Sequence, residues 1–343
     1  MKWYEYAEVD DDAIISSRVR FARNLKGYPF TTRISMAGAL AIIEKMKGIK
    51  DDGNALARDM DFVLLRDLSQ SQLNDLAERH VISPAMAKPN NVASRALLYG
   101  VNEDVSIMIN EEDHLRIHAI APAKNLDAAF EKANAIDDAL AEIVEYAFDR
   151  EFGFLTSCPT NTGTGMRASF MLHLPLLEQT GELKSIVEPI LKGGFALRGT
   201  HGEGSEVMGS VYQISNQVTM GVSEKESIEA LVQITEHIVR SELEMRKNAM
   251  KGWPKETEDM VYRSYATLKY ARLIGLKEAM KCLSDVRMGN ILGIIKCRLL
   301  GDITIYKTMN DILTHNLQSI MGPAMDMQRL AAMRAEYLRK IVI

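Results

Sequence analysis

Apolar and polar positions follow two periods along this chain, and the change from one to the other divides it. Phe62-Val63-Leu64-Leu65 is a short apolar run fit for a buried strand. Ser69 to Arg79 puts Leu73 and Leu76 on one face of a helix. Val105 to Ile109 reads as a strand, and Leu115 to Ile120 alternates apolar and polar, as a strand with one wet face does. The polar stretch Asn110-Glu111-Glu112-Asp113-His114 joins them into an antiparallel hairpin with carboxylates at its tip. Asn125 to Phe148 carries Phe130, Ala133, Ile136, Leu140, Ile143 and Ala147 at helical spacing. Ser223-Glu224-Lys225-Glu226 is a capping box that opens a helix through Ile228, Leu231, Thr235, Ile238 and Val239. Between these helices lie strand-like pieces and two Gly-rich stretches, Asn161 to Gly165 and Gly199 to Gly204. After Trp253 the texture changes: glycine becomes rare, helical patterns follow one another, and Pro254 suits the first turn of a helix. The pattern predicts an α+β domain over 1–252, a helical domain over 253–343, and a final surface helix from Met325 to Lys340.

Composition narrows the function classes. The chain has 343 residues, and 41 basic against 46 acidic side chains leave a net charge of −5, too mild for a bulk-charge nucleic-acid or membrane binder. No apolar stretch is long enough to span a bilayer, and the acidic run Asp10-Asp11-Asp12 is unlike a signal peptide. Cys158, Cys282 and Cys297 lie far apart, which argues for a reducing, cytoplasmic compartment and against a disulfide framework or a structural zinc site. The 20 methionines read as adaptable core filler.

Candidate chemistry sits in four arginine-bearing segments. Arg18 and Arg20 alternate onto one side of an extended strand, with Arg23 just after them; Arg116 lies on the hairpin; Arg167 follows the first Gly-rich stretch; Arg198 opens the second. Guanidinium forks suit polyphosphate oxygens, and glycine backbone lets amides approach them. Gly199 and Gly204 have Walker A spacing, but Ser205 stands where that loop needs lysine, and neither a dinucleotide fingerprint nor protein-kinase signatures occur.

Four segments in order resemble the catalytic domain of the phosphagen (guanidino) kinases: Ser16 to Arg20, Asn110 to Arg116, Leu155 to Ser169, and Gln213 to Gln217. Within that family the chain is most similar to the McsB-type bacterial protein arginine kinases. Few residues precede Ser16, whereas small-guanidine kinases carry a helical domain there; the Arg198 loop reads Gly202-Glu203-Gly204-Ser205-Glu206, and the region around Cys282 to Gly289 is also alike. The resemblance implies a phosphagen-kinase-like antiparallel sheet flanked by helices, and transfer of the ATP γ-phosphoryl group to arginine in proteins. It implies a nucleotide site of Ser16, Ser17, Arg18, Val19, Arg20, His80, Arg116, Arg167, Ala168, Ser169, Phe170, Met171, Arg198, Gly199, Thr200, His201, Gly202 and Glu203. Mg2+ would be held by phosphates and water rather than by a cage of side chains.

A guanidinium titrates above about 12 and is a poor nucleophile while charged. Carboxylates must orient one nitrogen and take its proton. By resemblance Glu112 is the base and Glu203 its partner, with Glu206 and Asp113 in second rank. Cys158 matches the family's reactive cysteine, with a supporting role near the guanidinium and sensitivity to alkylation; Thr156 and Ser157 would tune it. Two departures stand out. His201 occupies a position where these kinases commonly have tyrosine. The RDxxRA phosphoarginine motif keeps Asp326 and Arg329 but has Met325 and Leu330 in place of its first Arg and its Ala, so the pocket is expected to be degenerate. The resemblance further implies protein substrates, a CtsR-type repressor, a McsA-type activator, the ClpC–ClpP protease and a homodimer, with roles in stress response and degradation marking. The alternatives are a kinase of a small guanidino compound such as free arginine, and a non-catalytic adaptor.

Overall fold

A computed structural model describes residues 2–5, 13–51, 59–90, 92–199, 207–297, 299 and 304–342. Ten strands and eleven helices occur among them. The strands are β1 (Ile14–Arg23), β2 (Met60–Leu64), β3 (Ala96–Gly100), β4 (Val105–Ile109), β5 (Leu115–Pro122), β6 (Phe148–Asp149), β7 (Gly153–Phe154), β8 (Met166–His173), β9 (Phe195–Gly199) and β10 (Val211–Asn216). The first six helices are α1 (Met36–Asp51), α2 (Gln70–Glu78), α3 (Leu126–Ala141), α4 (Pro175–Gln179), α5 (Leu183–Lys192) and α6 (Glu224–Gly252). The chain continues with α7 (Pro254–Tyr270), α8 (Leu276–Ile291), α9 (Ile305–Asp311), α10 (Thr314–Met321) and α11 (Met327–Ile341). No helix among the described residues is long and apolar enough to cross a membrane.

Eight strands form one antiparallel sheet in the order β2-β3-β4-β5-β1-β8-β10-β9. Period-two alternation gives its faces different chemistry. One face carries Val19, Phe21, Ile117, Ala119, Ala168 and Phe170, all fully buried in a core shared with α1, α3 and α6. The other face carries the arginines. It is covered at one edge by α2, through Leu73, Leu76, Leu97 and Met108. The C-terminal helices cover its Ser16 end, where Ile120, Met171 and Val211 join Leu283, Val286 and Met309.

Buried polar contacts fasten those helices down. His173 on β8 accepts at Nδ1 from Arg287 of α8 (2.7 Å) and donates from Nε2 to Ser284 (2.7 Å). Glu242 of α6 accepts from the Leu177 amide opening α4 (3.0 Å) and pairs with Arg246 (2.9 Å). Glu78, the last residue of α2, accepts from the His315 and Asn316 amides at the start of α10 (2.9 and 2.8 Å), and burial pushes its carboxyl up to about 7.

The capping box expected at Ser223–Glu226 forms, and a second one is found at Ser69–Gln72. Three elements depart from the sequence pattern. The helix expected to reach Phe148 ends at Ala141, because the Ala147 amide and the Glu145 carbonyl bond to the Asn24–Lys26 backbone, and Phe148 starts a short strand. The run 62–65 gives an edge strand whose Phe62 to Leu64 are only partly covered, since β2 has a neighbour on one side alone. The terminal helix is not simply on the surface: Leu330, Met333, Arg334, Leu338 and Ile341 are buried, and Arg334 donates to the Ile312 and Ile274 carbonyls.

Arg23 and the Gly-rich stretch have structural work to do. Arg23 is 1% exposed, points to the core face, and forks onto Asp137 of α3 (2.6 Å), with its guanidinium 3.6 Å from the Phe154 ring centroid. It also donates to the Thr164 carbonyl at 2.9 Å. A Cβ on Gly163 (φ +117°) would sit 2.1 Å from the Thr219 carbonyl, so this turn requires glycine for chain packing rather than for phosphate access. Replacing Asp137 by alanine strands a buried cation and should lower stability by about 3–5 kcal/mol. Urea unfolding measures it, and a loss below about 1 kcal/mol would remove the pair from the account of the core.

Candidate active site

Strand register assembles the arginines. Arg20 is paired with His118 on β5 and with Arg167 on β8; Ala22 is opposite Arg116; Gln213 is opposite Arg198. Cross-strand partners share a face, so Arg18, Arg20, Arg116, Arg167 and Arg198 from four strands line one side of the sheet. All five are half-buried. Burial, reinforced by repulsion from Arg116 and Arg167, pulls Arg18 down to about 10. Burial with Arg18, Arg116 and Arg167 as neighbours pulls Arg20 well below the ordinary arginine value. Guanidinium does not deprotonate in proteins, so the shifts measure electrostatic frustration that an anion would relieve. Arg20 Nε is buried with no hydrogen-bond partner. Together the five arginines make a face suited to an anion with several oxygens.

The arginine face also carries Ser16, Ser169 and Met171. The side chains of Ser17, Val19, Ala168 and Phe170, expected at the nucleotide site, turn to the opposite face. Val19, Ala168 and Phe170 are fully buried in the core, and Ser17 Oγ donates to the Ala123 carbonyl (2.7 Å). Strand alternation separates these neighbours in sequence by the thickness of the sheet. Gly199 ends β9 beside Arg198; Thr200, His201, Gly202, Glu203 and Glu206 lie outside the described residues.

The three acids of the hairpin tip have different environments. Glu111 is buried. Burial works to raise its carboxyl, but the Arg116 guanidinium (2.8 Å), the Ser83 hydroxyl (2.6 Å) and the Glu112 amide (2.9 Å) outweigh that and hold it at about 2. Asp113, a second-rank base by sequence, is 2% exposed and accepts from Asn24 Nδ2 and the Ser157 amide, both at 2.6 Å. It is a brace between the tip and the Cys158 loop. Glu112 lies at the surface. Among the described residues its carboxylate receives one long contact, 3.5 Å from Asn161 Nδ2, and the surrounding protein pushes its carboxyl up, with Arg116 opposing. His114 fixes the tip from behind, accepting from the Leu25 amide (3.0 Å) and donating to the Pro29 carbonyl (2.9 Å).

Cys158 is partly exposed, on the loop that Asp113 braces and Asn161 joins to Glu112. Its Sγ lies 3.0 Å from Thr160 Oγ1. Thr156 bonds the Cys158 carbonyl rather than the sulfur, and Ser157 Oγ faces Thr31. His80 follows α2 in a left-handed conformation (φ 63°), buried beside Trp3. It lines a cavity with Met208, Val211, Met280, Tyr306 and Met309. Tyr306 reaches back to the arginine face, donating to Met171 Sδ (2.9 Å). Asp326 caps α11 by accepting from the Arg329 amide (2.7 Å), and Met325 beside it is fully exposed.

Sequence reasoning missed Glu111, Asn24, His114, His118 and Tyr306. Only Glu111 left a signal, five residues before Arg116 across a tight turn, and the sequence does not say which of three adjacent acids turns inward. Since Glu111 titrates at about 2 when folded and near 4.5 when unfolded, its contribution is complete above pH ~5 and lost as pH falls towards about 2. The stability gap between wild type and Glu111→Gln should therefore shrink by roughly 3 kcal/mol across that range. Urea titrations at several pH values check it; a gap independent of pH would contradict the pairing.

Comparison with known proteins agrees with this geometry. The ATP:guanido phosphotransferase C-terminal catalytic domain matches residues 41–245, and the protein-arginine kinase McsB C-terminal domain matches residues 254–342. A protein-arginine kinase of Caldanaerobacter subterraneus is 39% identical, covering 96% of this chain and 97% of its own. One from Bacillus pumilus is 41% identical over 86% of this chain and 81% of its own. Among solved structures, the duplicated taurocyamine kinase of Schistosoma mansoni has a TM-score of 0.60 at 21% identity, over 75% of this chain and 38% of its own. Lombricine kinase has 0.59 at 24%, over 69% and 67%; both share the fold. The chain belongs to the ATP:guanido phosphotransferase family and, within it, to the protein-arginine kinases, which take a phosphoryl group from ATP to arginine side chains in proteins.

Proposed function

We propose that Arg18, Arg20, Arg116, Arg167 and Arg198 clamp the ATP phosphates and that Glu112 is the base. The observation that carries this is the array of five half-buried arginines that strand register gathers on one face of the sheet, with Glu112 exposed at the tip of the β4–β5 hairpin. In the reaction an arginine nitrogen of the substrate attacks the γ-phosphorus. An N–P bond forms, the P–O bond to the β-phosphate breaks, ADP leaves, and the nitrogen's proton passes to Glu112. Glu203 would hold the guanidinium's other edge, and Cys158 supports it from the loop that Asp113 braces. His80, with Ser16, Ser169 and Met171 on the arginine face, would lie towards the adenosine end. Mg2+ would arrive with the nucleotide, held by phosphate oxygens and water.

Residues 1–252 form the catalytic domain and 253–343 a domain for substrate docking and self-association. A cytoplasmic homodimer acting on a CtsR-type repressor, stimulated by a McsA-type activator and feeding ClpC–ClpP, fits the family. Supporting the division, the two family models meet between residues 245 and 254.

Neutral-pH mass spectrometry of a protein substrate after incubation with Mg-ATP tests the base. Phosphoarginine should form with wild type and fall at least about a hundredfold with Glu112→Gln. Because protein packing raises the Glu112 carboxyl, the acid limb of kcat/KM should lie above the ordinary glutamate range and disappear in the variant. Unchanged transfer by Glu112→Gln would end this assignment, and phosphate only on added free arginine would make the acceptor a small molecule. Asp326 serves α11 as its cap and the first motif arginine is Met325, so free phosphoarginine should leave activity unchanged. Stimulation abolished by Asp326→Ala would overturn that expectation.

A further inference from the structure

Across the middle of the sheet Ser106, His118, Arg20 and Arg167 form one row, a residue from each of β4, β5, β1 and β8 on the same face. His118 is 3% exposed. The Ser106 hydroxyl donates its proton to the Val81 carbonyl at 2.8 Å. The 3.4 Å contact between Ser106 Oγ and His118 Nδ1 therefore has Nδ1–H as donor. That fixes the tautomer: Nε2 carries the lone pair. It is buried without a hydrogen-bond partner, and so is Nε of Arg20, the residue directly opposite. An unsatisfied acceptor and an unsatisfied donor thus belong to two residues paired directly across β1 and β5, at the base of the arginine array. Burial, with Arg18 and Arg20 beside it, holds the imidazole neutral.

We propose that His118 is a positioning residue for the phosphate clamp: its neutral Nε2 accepts from Arg20 Nε–H and sets the guanidinium plane, leaving both terminal nitrogens to fork onto phosphate. The proposal rests on the reading that Arg20 binds phosphate. A neutral acceptor suits the task because it orients the cation without cancelling its charge. Arg18 also meets neutral acceptors on this face, its Nε 3.5 Å from Ser169 Oγ and its Nη2 donating to Gln213 Oε1 at 2.6 Å. Arg116, in contrast, is neutralised by Glu111. A carboxylate at position 118 would satisfy the same hydrogen bond but compete with the phosphate for Arg20.

The test compares His118→Gln, His118→Leu and His118→Glu in the full chain, with ATP affinity by calorimetry, KM and kcat for Mg-ATP, and circular dichroism to confirm folding. Leucine removes the acceptor and should weaken ATP about tenfold or more. Glutamine should stay within about twofold of wild type, and glutamate should bind ATP at least as weakly as leucine. KM for the protein acceptor should not move. In a cycle with Arg20→Met, the effect of His118→Leu should vanish, which a general packing defect would not produce. If leucine does not fold, the glutamine–glutamate contrast still decides, since equal ATP affinity in those two overturns the proposal. So does wild-type affinity in His118→Leu, or full additivity with Arg20→Met. Unchanged affinity in Arg20→Met alone would instead remove the clamp reading on which the proposal stands.

Discussion

Mutual repulsion among guanidinium groups is the constraint around which this protein is arranged. Burial, reinforced by Arg116 and Arg167 on the neighbouring strands, depresses Arg18 and Arg20 across β1, β5 and β8. Isolated in a loop, such charges would spread apart. A hydrogen-bonded sheet prevents that, because cross-strand partners have nowhere to go. The opposite face makes the sheet stiff, with side chains such as Val19, Phe21 and Phe170 fully buried against α3 and α6. The repulsion is thus held by the hydrophobic core one residue away in sequence, and it favours an anion with several oxygens.

Carboxylates near such an array must be rationed by position. Glu111, Glu112 and Asp113 are consecutive and chemically almost alike, yet the turn gives them separate fates. Glu111 points inward and neutralises Arg116; Asp113 points into the Asn24 and Ser157 hydrogen bonds; Glu112 faces out. The inward pair costs some positive charge, but it secures the tip. With His114 anchoring the same turn to the Leu25 and Pro29 backbone, Glu112 projects from a fixed platform.

The C-terminal helices are part of the same packing. Trp3, Ile15, Ile120, Met171 and Val211 share a core with α8, α9 and α11, and Tyr306 touches Met171 at the end of the arginine face. His173, buried between Arg287 and Ser284, and Glu78, capping α10, are polar fasteners along that contact. A change in the packing of these helices would be felt where His80 and Met171 sit. This gives a physical route between the C-terminal helices and the nucleotide end of the site.

The sequence by itself determined the alternation that builds the hairpin and β1, the capping box at Ser223, and the break at Trp253-Pro254. It also held the family's arginines and Glu112 in readable motifs, because these depend on local spacing and residue type. Tertiary structure alone decided where α3 stops, since bonds to Asn24–Lys26 compete with helical ones. It alone gave Arg23 its partner Asp137 and decided which face of β1 meets the core. The sharing of work among the three tip acids, and the pairing of His118 with Arg20, depend on partners from distant strands. No local pattern encodes which face, which register or which neighbour a side chain meets, and the chemistry of this site is made of those three things.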